Sequence, residues 1–100
     1  MRTKKMLKHI IFWKLNDKSK ADEISADLNS RFKALLGKVD GLKEAEVGKN
    51  VNGGDFDITL YTVFESAEDE KAYQTNPLHL EIKKVVHSVV CDRICIDYLV

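Results

Sequence analysis

The chain has 100 residues, 44% hydrophobic and 32% charged, and its sixteen basic side chains balance sixteen acidic ones. That length sets a single domain spanning residues 1–100, and the cancelled charge excludes a global field of the kind that holds nucleic acid or an anionic membrane. With one proline, five glycines and no low-complexity stretch, it also excludes a linker-rich or repeat architecture.

The first nine residues, "MRTKKMLKH", are basic like the start of a secretory leader, but only "IIFW" follows before Lys14 interrupts. A leader needs an apolar run of about 7–15 residues and a membrane span about 20. Lys4, Lys5 and Lys8 therefore read as a solvated basic end. Cys91 and Cys95 are too few for a disulfide framework; on one strand they share a face but stand about 13 Å apart, beyond bonding reach. A reduced, cytoplasmic location is expected, with neither nucleic acid nor membrane as partner.

"MLKHIIFWKL" (6–15) is β-branched and aromatic, which predicts a strand apolar on both faces at its centre. Ser19 is placed as an N-cap with Asp22 in capping-box position. Ala21, Ile24, Leu28, Phe32 and Leu35 follow on an arc of about 80°, predicting a helix over 20–36 that ends at Gly37. Asp40 and Gly41 turn the chain into a weaker strand, "LKEAEVGKNV" (42–51). "NGGD" (52–55) predicts a hairpin into the strand "FDITLYTVFE".

Ser66 and Asp69 open a short helix through Tyr73. Asn76 then caps again, with Pro77 in the first helical position, and a helix runs to about residue 90 on the stripe Leu78, Ile82, Val85, Val86 and Val89. "DRICIDYLV" closes the chain as a strand. The order β-α-β-β-α-β is the α+β, ferredoxin-like pattern, a four-stranded antiparallel sheet with its helices on one face.

Helices on one face leave the other bare, yet the strands are apolar on both sides. Leu7, His9, Ile11 and Trp13 point one way on the first strand, and Ile10 and Phe12 the other. A second apolar face carrying Ile10, Phe12, Tyr61, Val63, Ile94 and Ile96 predicts a two-fold homodimer with sheets packed face to face. The alternative is a single chain that tolerates scattered exposed apolar groups.

The order and spacing of "MLKHIIFWKL", "VGKNV", "LYTVFESAED", "YQTNPLH" and the terminal "IDY" resemble the stress-responsive A/B barrel (Dabb) family of dimeric α+β barrels, over nearly the whole chain. The resemblance implies the same fold and a homodimer through the sheets. The family includes plant stress-induced proteins and a polyketide cyclase, olivetolic acid cyclase, in which a tyrosine and a histidine flanking the proline carry an aldol condensation. Those positions correspond to Tyr73 and His79, and a further histidine to His9. This chain departs at Asn76, where the family often has histidine, and at Ile58, where the cyclase has a pocket histidine.

His79 falls in the first turn of its helix, where the dipole disfavours a positive ring, and about 20° from Val86 on the wheel, so it points inward. His87 falls on the solvent side. A neutral inward imidazole beside a phenol is suitable for removing a proton next to a carbonyl, with Tyr73 holding the enolate or orienting the base. The alternative is a core histidine satisfied by a hydrogen bond, with the Tyr73 hydroxyl at the surface and His9 a strand-end ring meeting solvent.

The candidate lining of a ligand space is His9, Ile11, Trp13, Ile58, Leu60, Ile82 and Val86. No helical His-x-x-x-His or Glu-x-x-His pair is present, so no metal is expected, and Gly53-Gly54 is a turn and not a phosphate loop. Three functions follow. The first is a homodimer holding a small hydrophobic molecule between sheet and helices. The second is a cofactor-independent, cyclase-like enzyme using His79 and Tyr73. The third is a monooxygenase, for which Trp13 is the one available tryptophan.

Overall fold

A computed structural model of the protein describes residues 5–100; of the basic end, Lys4 lies outside the described residues. The elements are β1 (Leu7–Leu15), a 3-10 turn (Lys18–Lys20), α1 (Ala21–Lys33), β2 (Leu42–Lys49), β3 (Ile58–Phe64), α2 (Ala67–Tyr73), α3 (Pro77–Val89) and β4 (Val90–Leu99). The strands form one antiparallel sheet in the order β2-β3-β1-β4, the ferredoxin-like topology expected from the element order. β1 is central, and its register sets His9 against Thr62 of β3 on one side and Asp97 of β4 on the other.

Strand alternation decides the core. Leu7, Ile11, Trp13 and Leu15 of β1 and Ile58, Leu60 and Phe64 of β3 are buried against Leu28 and Phe32 of α1 and Ile82 and Val86 of α3. The loop between β2 and β3 closes around Asn50, whose Nδ2 donates to the carbonyls of Gly53 and Phe56 while its Oδ1 accepts from Asn52 N–H.

Several local expectations are corrected. Ser19 does not cap α1: its N–H and hydroxyl both donate to Asp17 Oδ1, which caps the 3-10 turn instead, and α1 starts without a side-chain cap. The helix stops at Lys33 and tight turns carry the chain to Gly37, whose φ is 84°. β2 ends at Lys49, leaving Val51 fully exposed. Leu78, placed in the apolar stripe of α3, is exposed, because the buried face passes through His79, Ile82 and Val86.

On the sheet face opposite the helices, Phe12, Ile94, Ile96 and Tyr98 are 44%, 49%, 58% and 43% exposed, and the register joins Phe12 to Ile94 and Ile10 to Ile96. Tyr61 shares this face, half-buried, with the Lys8 ammonium over its ring. Val63, which alternation places there too, is 2% exposed and so already covered within the chain. Cys91 and Cys95 are both free thiols. Among the described residues, no helix is long and apolar enough to cross a membrane.

Candidate functional site

The break between α2 and α3 builds the site. Pro77 disfavours helical geometry at the residue before it, so α2 ends and Asn76 turns extended, its side chain accepting from Leu78 N–H. The ending helix leaves the Tyr73 carbonyl without an intrahelical partner. That oxygen accepts from Asn76 N–H at 3.1 Å and from His79 Nδ1 at 3.1 Å, one for each lone pair. A proton on Nδ1 leaves Nε2 as the bare nitrogen of a neutral ring.

His79 stacks on Tyr73 with ring centroids 3.9 Å apart and planes at 17°, and Tyr73 in turn packs on Phe64. Burial is the main cause holding the His79 pKa down, at about 4; the Tyr73 carbonyl pulls it up, and Lys83 and His9 add to the depression. Tyr73 is 1% exposed. Among the described residues its hydroxyl has no hydrogen-bond partner, and burial, assisted by the nearby Glu70 charge, pushes the phenol well above its ordinary pKa. The hydroxyl is thus not at the surface, whereas His79 is buried and hydrogen-bonded as the alternative of a core histidine has it. The same closure denies an incoming oxygen direct access to the phenol unless side chains shift.

These rings border a cavity of about 90 Å³ between sheet and helices. Its buried wall is Ile11, Trp13, Phe32 and Leu60 with His9 and His79, while the more exposed Gln74, Lys83, His87 and Arg93 stand towards solvent. Ligand pockets for drug-sized molecules run to about 300–1,000 Å³, and an apolar cavity of about 150 Å³ takes benzene. Only a few heavy atoms fit inside; a longer molecule would extend through the open side.

His9 approaches from β1 and is 4% exposed, which corrects the solvent-facing alternative. Its Nδ1 lies 2.5 Å from Asp97 Oδ1, 3.6 Å from Cys95 Sγ and 3.9 Å from Glu70 Oε2. The Cys95 thiol is pushed up by burial first and by the Asp97 carboxylate next.

A sequence model of the stress responsive A/B barrel domain matches residues 7–100. The chain belongs to this family. Among solved structures similar to this A/B barrel domain is a dimeric protein of unknown function with a ferredoxin-like fold from Bacteroides fragilis, 32% identical, covering 93% of this chain and 94% of that one, TM-score 0.82. A dimeric ferredoxin-like protein of unknown function from Thermobifida fusca is 18% identical over 100% and 95% of the two chains, TM-score 0.81. A hydroxynitrile lyase from Passiflora edulis is 19% identical over 95% and 93%, TM-score 0.70. At such identities the latter two share the fold alone. A search of curated protein sequences finds no match.

Of the side chains expected in the site of this A/B barrel domain, His79, Tyr73, His9, Ile11, Trp13, Leu60 and Val86 meet at the cavity. Ile58 and Ile82 do not line it: both are packed in the core. Trp13 is 3% exposed with its ring 6.1 Å from Phe32, a packing position. Sequence reasoning missed Lys83 and Gln74, although Lys83 lies one helical turn after His79 and so on its face. Arg93 was visible only through register, as the partner of Trp13.

Proposed function

We propose that the cavity takes a small carbonyl compound and that His79 removes a proton from the carbon beside the carbonyl, without a cofactor. The observation that carries this reading is the fixed tautomer: Nδ1 is tied to the Tyr73 carbonyl, and burial keeps the ring neutral. Nε2 is then unprotonated at ordinary pH, in a wall of apolar side chains and His9, and a ring held near 4 is a weaker base than one poised near neutrality. Tyr73 orients that base through its carbonyl and its stacked ring. Lys83 supplies the positive charge towards which a developing enolate oxygen would turn.

Retention of a small hydrophobic molecule is the first half of this reading, and it suits the apolar wall. The hydroxynitrile lyase lends only a fold-level analogy. A monooxygenase would require Trp13 to leave its packed place against Phe32.

The same reading includes a homodimer through the bare sheet face. Its supports are the adjoining Phe12, Ile94, Ile96 and Tyr98 and the dimeric state of the similar proteins from B. fragilis and T. fusca.

The test is hydrogen–deuterium exchange at the α-carbon of a panel of small ketones and aldehydes in D2O, followed by NMR. The protein is expected to catalyse exchange for at least one, and His79→Gln to lower the rate by about 10²–10⁴-fold. Exchange that survives in His79→Gln would overturn the assignment.

A further inference from the structure

We propose that His9, Cys95, Asp97 and Glu70 form a binding site for a divalent metal ion of the zinc class, where β1, β4 and α2 meet. His9 Nδ1, Cys95 Sγ and Asp97 Oδ1 all lie within 4.8 Å of one another. Glu70 Oε2, from the helix above, is 3.9 Å from the same nitrogen. One imidazole, one thiolate and two carboxylates are donor types that zinc accepts, and four protein ligands make a closed tetrahedral set.

The spacing fits bond lengths. Zinc–sulfur and zinc–nitrogen or –oxygen bonds of about 2.3 and 2.0–2.1 Å at tetrahedral angles put S···N and S···O at roughly 3.5–3.6 Å. Cys95 Sγ stands 3.6 Å from His9 Nδ1 and 3.6 Å from Asp97 Oδ1. Two edges differ. Nitrogen and oxygen ligands of one zinc lie about 3.3 Å apart, whereas His9 and Asp97 are 2.5 Å apart and Glu70 is 3.9 Å from His9. The first distance is a hydrogen bond whose proton the ion would displace; the second closes only if Glu70 Oε2 gives up the hydrogen bond it accepts from the Gln74 amide and swings towards the other three.

A nucleophilic reading of the same residues fails on geometry. A Cys-His-Asp triad uses both ring nitrogens, one for the nucleophile and one for the carboxylate. Here Cys95 and Asp97 both face Nδ1. Convergence on one point is what a shared ion requires.

Uptake would release the thiol proton and move the His9 proton to Nε2. The ring that lines the cavity would then carry its N–H on the nitrogen away from the ion. The site ties the edge strand β4 to β1 and to α2, through residues whose spacing in the sequence matches no zinc motif. It stands apart from the role given to His79.

Chelator-treated protein titrated with Co2+ and followed by absorbance provides the test. Equimolar binding at micromolar Co2+ is expected, with visible bands of a tetrahedral site, a near-ultraviolet thiolate-to-cobalt band, and displacement by Zn2+. Cys95→Ser, a change at an exposed position, should abolish the thiolate band and weaken binding by more than the roughly 10–100-fold typical of outer-shell changes. Cys91→Ser and His79→Gln should leave both unaltered. Absence of saturable binding, or a thiolate band that persists in Cys95→Ser or disappears in Cys91→Ser, would overturn the proposal.

Discussion

His79 ties its neutral charge state to stability. Its folded pKa is depressed to about 4 from an ordinary 6.5, so protons favour the unfolded chain once pH falls below 6.5. Stability is therefore lost as pH drops from 6.5 towards 4, by an amount of about 3 kcal/mol at most. His79→Gln, which cannot titrate, should show a smaller acid loss in urea unfolding; identical pH profiles would mean that folding leaves the pKa of the ring unshifted. At Tyr73 the buried hydroxyl, without a partner among the described residues, costs about 1–3 kcal/mol. Tyr73→Phe should hold or raise stability by about 1 kcal/mol, and a marked loss would reveal a partner for the hydroxyl. Both residues were legible in the sequence because their relation is local: a cap, a proline and a helical wheel place them. The His9, Cys95, Asp97 and Glu70 group was not, since it depends on β1–β4 register and on where α2 lands.

The elements were read correctly in type and order, and the errors fall at their ends and on the faces they bury. Ser19 had the position of a cap, but Asp17 takes its hydroxyl and N–H, and a 3-10 turn intervenes. Leu78 had the period of the apolar stripe, but the buried arc is centred nearer His79. The start of β2 shows a constraint that composition hides. Gly41 has φ 81° and its carbonyl accepts from Glu65 N–H, while a Cβ there would collide with the Asp69 carboxylate that accepts from Ser66 in the α2 cap. Gly37, at φ 84°, has open space around it. Gly37→Ala should cost about 1–2 kcal/mol from left-handed strain alone. Gly41→Ala should cost clearly more, and equal losses in thermal unfolding would contradict the close approach.

At the scale of the whole molecule, the sheet divides the chain into a face that carries the cavity and a face that is bare. Alternation along β1 and β4 made the bare face legible, because Ile10, Phe12, Ile94 and Ile96 oppose the core residues. Val63 could not be told from its neighbours, since periodicity gives direction and not coverage. Phe12→Lys places an ammonium at the centre of the proposed interface, where leaving it unpaired and dry costs several kcal/mol. Light scattering should report a dimer for the unmodified protein at micromolar concentration and a monomer or aggregate for the variant. A monomeric unmodified protein would remove the dimer from the account.

The central claim is that the cavity presents a neutral imidazole with its proton on Nδ1 and Nε2 free to act as a base. Long-range nitrogen–proton NMR of the histidine rings, followed from neutral into acid pH, reads protonation and tautomer together. The account predicts that His79 holds the Nδ1–H form and gains its second proton only near pH 4. A His79 ring that titrates at or above 6.5, or that carries its neutral-form proton on Nε2, would contradict it.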